Sequence, residues 1–284
     1  MSYIATADYL ILKYTSSGDT IWQKTYDSGN EDYGFGIAVD SSGSVCVNGY
    51  STPDFAAYDI LTVKFDPNGD MLWARTFDGG PSDFGYKTAV DPAGCFYVSG
   101  YSFNGTDNDA VAIKYDSSGN SLWVKIYSTG GGDYGYGIDA DPEGNAYLTG
   151  QVNDADFFLI KLNTSGDSVW QAVYDAGSTD KGFDAVVEGS PAGAGNVYMF
   201  GYASNGLSYD FFTIKYDQHP VAALKITSLP FSITQNSTST AITVQAVDDT
   251  GALDASFSGT AALVTSSPGG RFSATFAPCL ILPK

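Results

Sequence analysis

Histidine is almost missing from this sequence: His219 is the only one in 284 residues, and the three cysteines, Cys46, Cys95 and Cys279, lie far apart. Without C-x-x-C spacing or a second histidine, neither a zinc site nor a disulfide framework is indicated. G-x-S-x-G, H-E-x-x-H and P-loop patterns are also absent, which leaves nucleophilic, zinc and phosphate chemistry without a motif. No run of about 18 apolar residues could cross a bilayer as a helix. The start, Met1-Ser2-Tyr3-Ile4-Ala5, lacks the basic residues and apolar stretch of a signal peptide. Basic residues are few as well, 13 against 32 acidic ones, for a net charge of −19. Such a chain repels phosphate backbones and anionic lipid, which argues against nucleic acid as a partner and against membrane insertion, while it attracts cations. Glutamate is the scarcer acid, with Glu31, Glu143 and Glu188 set against 29 aspartates. Aspartate bonds its own backbone and favours turns and strand ends, as do the 33 glycines, whereas 20 tyrosines and 17 phenylalanines suit strands.

What is present is a repeat. Segments that begin with Asp and end in Lys plus a large residue start at Asp8, Asp59, Asp109, Asp156 and Asp210, at separations of 51, 50, 47 and 54 residues. The first four lead through a glycine turn, as in Pro67-Asn68-Gly69-Asp70, to a strand carrying Trp22, Trp73, Trp123 or Trp170. A loop and a segment such as Asp32-Tyr33-Gly34-Phe35-Gly36-Ile37-Ala38-Val39-Asp40 follow, repeated from Asp83, Asp133 and Asp180. A tight turn then leads into a last strand ending at Gly49, Gly100, Gly150 or Gly201. All these runs are too short for helices and are rich in β-branched and aromatic residues between turn signals, so the unit is four short strands. One such unit cannot bury both faces, but copies stacked face to face can, with the tryptophans as structural packing between them.

The pattern D-Y-G-x-G-I-A-V-D-x-x-G-x-V-Y-V-x-G-Y followed by D-x-x-x-x-K-Y-D-x-x-G-x-x-x-W resembles the bacterial SBBP-type β-propeller repeat over about residues 8 to 217. The resemblance implies an all-β propeller of four-stranded blades displayed outside the cell or on its surface, and no shared catalytic set. It also implies that the Gly-aromatic-Gly segment is the innermost strand, which suits the small Gly34, Ala38, Gly85, Ala89, Gly135 and Ala140. Lys87 departs from the pattern where Gly36 and Gly137 stand, and the fourth copy reads Asp180-Lys181-Gly182-Phe183-Asp184. Innermost strands starting near 32, 83, 133 and 180 give about four blades in residues 1–218. Either the ring closes by joining an N-terminal half-blade to the last copy, or the chain is an excerpt of a larger ring; the second is favoured because the chain opens inside a blade. Residues 219–284 lose the period and resemble a linker plus an incomplete bacterial immunoglobulin-like β-sandwich, short of the usual seven strands.

The expected role is a non-catalytic extracellular or cell-surface binding module, engaging a protein or carbohydrate through loops on one face of the blades. Two alternatives are a hydrolase or lyase with an Asp/Tyr site at the channel mouth, and repeats that only space other domains. Asp32, Asp83, Asp133 and Asp180 recur at the entry to the innermost strand and define the candidate binding face, with a ring of carboxylates that would suit calcium. Against this stands the reading that each such Asp accepts N–H bonds within its own loop. The entry aspartates Asp8, Asp59, Asp109, Asp156 and Asp210 are read as structural, no organic cofactor is indicated, and Cys46 is read as a core substitution.

Overall fold

The computed structural model describes residues 7–53, 57–175, 179–188, 195–204 and 209–216, with the backbone of four short strands at 223–226, 244–247, 262–265 and 272–275. The chain divides into two compact units, Met1–Gln218 and His219–Lys284.

Among the described residues of the first unit, strands alone make up the regular structure. A hairpin of β1 (Tyr9–Tyr14) and β2 (Thr20–Tyr26) comes first. Three four-stranded sheets follow: β3 (Glu31–Val39), β4 (Val45–Thr52), β5 (Asp59–Phe65) and β6 (Met71–Phe77), then β7 (Ser82–Val90), β8 (Phe96–Phe103), β9 (Asn108–Tyr115) and β10 (Ser121–Tyr127), then β11 (Tyr134–Ala140), β12 (Ala146–Val152), β13 (Asp156–Leu162) and β14 (Ser168–Tyr174). A three-stranded sheet, β15 (Lys181–Val187), β16 (Val197–Ser204) and β17 (Tyr209–Tyr216), ends the series. Within these sheets, order equals chain order and neighbouring strands pair antiparallel. The expected all-β blades are therefore present.

Local chemistry sets these hairpins. In the β3–β4 turn, Asp40 Oδ1 accepts the amides of Ser42 (3.0 Å) and Ser44 (2.9 Å), and Gly43 takes φ 84°. A side chain at that φ would be strained, so the D-x-x-G spelling dictates the turn. Asp66, Asp116 and Asp141 hold equivalent turns.

Inner strands stack in sequence, β3 on β7, β7 on β11 and β11 on β15. Because β4, β8 and β12 are buried on both faces, each blade joins two apolar layers. Val98, Val111 and Ile113 sit in one layer with Cys46, Ile60 and Trp73, and burying each such aliphatic chain contributes about 1.5–3 kcal/mol. At the periphery three of the four tryptophan indoles reach the following blade's turn: Trp22 Nε1 donates to Pro67 O, Trp73 to Ser117 O and Trp123 to Thr164 O, each at 3.1 Å.

One expectation needs correction. The glycines Gly49, Gly100, Gly150 and Gly201 do not end their strands; β4, β8, β12 and β16 run on to Thr52, Phe103, Val152 and Ser204, because each glycine only makes room for a bulge in the facing strand. Among the described residues β16 takes β17 as its neighbour and pairs with neither strand of the N-terminal hairpin. Leu10 and Ile21 on the hairpin and Val186 and Phe211 on the last sheet keep apolar surface in solvent.

In the second unit, β18 (Ala223–Ile226) pairs with β19 (Val244–Val247), and β20 (Ala262–Thr265) with β21 (Phe272–Thr275). The expected sandwich as a whole, with His219 and Cys279, lies outside the described residues.

Candidate functional site

Each of the four recurring aspartates is buried at its own blade junction, between 0 and 2 % exposed. Their backbone amides donate to Ala7, Tyr58, Asn108 and Ala155 O, which ties the start of an inner strand to the start of the third strand one blade earlier. The carboxylates mostly turn into their own loops. Asp32 accepts the Ser28 amide (2.8 Å) and hydroxyl (2.7 Å), and Asp133 accepts those of Thr129 (2.5 and 2.7 Å). Asp180 Oδ1 accepts the Ser204 amide at 3.0 Å, and Asp83 Oδ2 those of Gly79 and Gly80 at 2.8 and 3.3 Å. Among the described residues no two of the four share an acidic cluster. Three of them meet other aspartates instead: Asp8 and Asp27 beside Asp32, Asp59 and Asp78 beside Asp83, and Asp156 and Asp175 beside Asp180, with one carboxylate oxygen of each residue within 4.8 Å of the others in its group.

What the inner strands do bring together is aromatic. Each carries a bulge at the same register, between Gly34 and Gly36, Gly85 and Lys87, Gly135 and Gly137, and Gly182 and Asp184. The extra residue is an aromatic every time: Phe35, Tyr86, Tyr136 and Phe183. A bulge re-aims its side chain and recurs beside binding sites. Here it sets four rings in a row across the blades, with centroids 5.9 Å apart for Phe35–Tyr86, 5.3 Å for Tyr86–Tyr136 and 6.3 Å for Tyr136–Phe183. A second tier joins it two residues earlier, where Tyr33 meets Tyr50 at 5.1 Å, Tyr50 meets Phe84 at 4.8 Å, Phe84 meets Tyr101 at 4.9 Å and Tyr101 meets Tyr134 at 5.0 Å. Phe35 is 57 % and Phe183 44 % exposed, with the rings between them half-buried. Glu31, Tyr33, Tyr50, Thr52 and Tyr58 line a depression of about 120 Å³ at one end. In the sequence the only trace of this surface is the aromatic that recurs between two small or polar positions, at Phe35, Tyr86, Tyr136 and Phe183.

Burial raises the hydroxyl pKa values of Tyr50, Tyr86, Tyr101 and Tyr136, and hydrogen bonding to Glu31 raises that of Tyr33. These phenols stay protonated at any physiological pH and can both donate and accept. Just beyond the row, Lys87 Nζ meets Asp184 Oδ2 at 2.6 Å, and Lys181 Nζ lies 5.5 Å from the centre of the Tyr136 ring. Asp139, whose Oδ2 accepts the Val187 amide at 2.8 Å, has its pKa raised by desolvation and by Asp184, with Lys87 pulling it down. Cys46 is fully buried, and desolvation pushes its thiol to about 12, so it is an inert packing group.

Residues 122–158 match the SBBP beta-propeller repeat. That stretch runs from β10 into β13, across one blade junction. No curated protein matches the chain. Among solved structures it is similar to a GH43 endo-arabinanase from Bacillus licheniformis, at 10 % identity and TM-score 0.38, over 64 % of this chain and 70 % of that one. It is also similar to a tryptophan variant of apocarotenoid oxygenase from Synechocystis, at 15 % identity and TM-score 0.41, over 75 % of this chain and 54 % of that one. The tail fiber of Staphylococcus aureus phage P68 shares 8 % identity at TM-score 0.29, over 78 % of this chain. The chain thus spans about half the length, 54 %, of both the oxygenase and the tail fiber.

Proposed function

We propose that the blades are a non-catalytic binding scaffold, displayed outside the cell, that holds a neutral carbohydrate chain along the aromatic row of the inner strands. The observation that carries this reading is the row itself: Phe35, Tyr86, Tyr136 and Phe183, each lifted by a bulge at one register, with ring spacings of 5.3–6.3 Å. Aromatic faces bury the apolar C–H face of a pyranose, and protonated phenols beside them serve its hydroxyls. A repeating ligand suits a repeating surface. The net charge of −19 favours a neutral glycan over an anionic one. Hydrolysis by paired carboxylates draws less support, since the depression beside the row carries one carboxylate, Glu31, where such chemistry uses two. Display outside the cell rests on the resemblance of the repeats to the SBBP type.

Affinity electrophoresis through gels containing neutral polysaccharides (mixed-linkage glucan, xylan, mannan) tests the proposal. The expected result is retardation in at least one gel, lost in Phe35→Ala and Phe183→Ala proteins whose circular dichroism is unchanged. Migration unaltered in every gel, or identical retardation of the variants, would return the repeats to a spacer role.

A further inference from the structure

We infer that the junction of the first two complete blades, built by Asp59, Asp78 and Asp83, is a binding site for a calcium-class divalent cation. The three residues come from different elements: Asp59 opens β5, Asp78 follows β6, and Asp83 lies in β7 of the next blade. One carboxylate oxygen of each lies within 4.8 Å of the others. Such a group on a surface is common without an ion. A second observation separates this one from an ordinary acidic turn.

Asp83 is 0 % exposed, and its Oδ1 has no hydrogen-bond partner, while Oδ2 takes the Gly79 and Gly80 amides. The Ser102 hydroxyl lies beside the carboxylate, but Oδ1 accepts no bond from it. A buried carboxylate oxygen without a donor costs free energy unless something positive meets it. The neighbouring junctions show how that oxygen is otherwise served. Ser28 Oγ donates to Asp32 Oδ1 and Thr129 Oγ1 to Asp133 Oδ1, but the matching residue here is Gly79, which has no hydroxyl to give. Asp78 stands where the Asp32 junction has Asp27, so at Asp83 the acid is kept in the same loop that loses the hydroxyl donor.

Three aspartates offer only oxygen, the donor set of a hard cation. Three carboxylates from separate elements, with water completing six to eight ligands, suit calcium better than the strict octahedron of magnesium. Bound there, the ion would clip β5 of one blade to β7 of the next. An affinity of roughly 0.1–1 mM, typical of extracellular calcium modules, follows from a site only partly supplied by protein.

The test uses the full chain carrying Asp27→Ala and Asp175→Ala, exposed changes that remove one carboxylate from each of the other two acidic groups. Calorimetric titration with calcium chloride should show one equivalent bound and a raised unfolding temperature. Adding Asp78→Ala, itself an exposed change, or Asp83→Asn should weaken binding by about tenfold or more, in line with the dependence of affinity on ligand charge. The inference is overturned if the background protein gives neither heat nor a thermal shift with calcium, or if both added variants titrate as the background does.

Discussion

Lys87 and Asp184, 97 residues apart and two blades from each other, meet Nζ to Oδ2 at 2.6 Å. They occupy one register of the inner strand, whose other copies are Gly36 and Gly137. Where the repeat departs from a small residue it departs twice, with opposite charges, and the two exceptions find each other over the glycine between them. With side chains 40 % and 18 % exposed, the pair is partly screened, and its coupling in a double-mutant cycle of Lys87→Met and Asp184→Asn should be about 1 kcal/mol at low salt, shrinking in high salt. A cycle that closes to zero at low ionic strength would show the contact to be energetically idle.

Gly137 keeps that path open. A Cβ there would lie 2.6 Å from Asp184 Cα and 2.9 Å from Phe183 O, so β15 must move for any side chain to fit. Gly137→Ala should cost about 1–3 kcal/mol by overpacking and should also weaken the Lys87–Asp184 coupling, because the strand that shifts carries Asp184. Equilibrium unfolding of the single variant, and the cycle repeated in its background, measure the two effects separately.

A buried polar unit recurs at the blade junctions and gives a sharper energetic contrast. Tyr97 Oη lies 2.8 Å from both Asp91 Oδ2 and Gly144 O, and Lys114 Nζ sits 3.9 Å from the same carboxylate oxygen. Tyr147, Asp141 and Lys161 repeat it one blade later. Asp91 and Lys114 are almost without solvent contact, so the pair is strong only while both members are present. Lys114→Met should destabilise by about 3–5 kcal/mol through the abandoned carboxylate. Tyr97→Phe should cost about 1–3 kcal/mol, since Lys114 still faces Asp91. Urea unfolding of both variants checks the order, and equal losses would contradict it.

Most of the fold was legible because its signals are local. The D-x-x-G spelling at Asp40, Asp66, Asp116 and Asp141 fixes a turn through contacts within four residues, and hairpins so defined leave little choice of sheet order. The surface proposed for binding was not legible in the same way. A bulge at Tyr86 is a property of how β7 pairs with β8, and the meeting of Tyr86 with Tyr136 depends on how blades stack. Asp32, Asp83, Asp133 and Asp180 do align as a carboxylate ring requires, but alignment does not say which way a side chain turns; amides and hydroxyls of their own loops took Asp32 and Asp133, the Ser204 amide at the end of β16 took Asp180, and of the four only Asp83 kept a buried oxygen without a donor.

Those carboxylates also decide how stability changes with pH. Desolvation, the strongest influence on both, raises the pKa values of Asp83 and Asp139 above the ordinary 3.8. A raised acid binds its proton more readily folded than unfolded, so between 3.8 and its folded value stability falls as pH rises and stays lower above that. Asp40 acts in the opposite sense: burial pushes its pKa up, but the Ser42 hydroxyl, Lys64 and the Ser44 amide prevail and hold it below 3.8, so its contribution is present above 3.8 and is lost as pH falls through the depressed value. With a chelator present, the unfolding temperature should therefore decline as pH is raised from 3.8 through the folded values of Asp83 and Asp139, and should also decline in acid below the depressed value of Asp40. Asp139→Asn retains an acceptor for the Val187 amide while removing the titration, so it should flatten the decline above 3.8 and leave the acid limb in place. An unchanged profile in this variant would shift the cause from Asp139 to the overall negative charge, whose relief by protonation acts in the same direction.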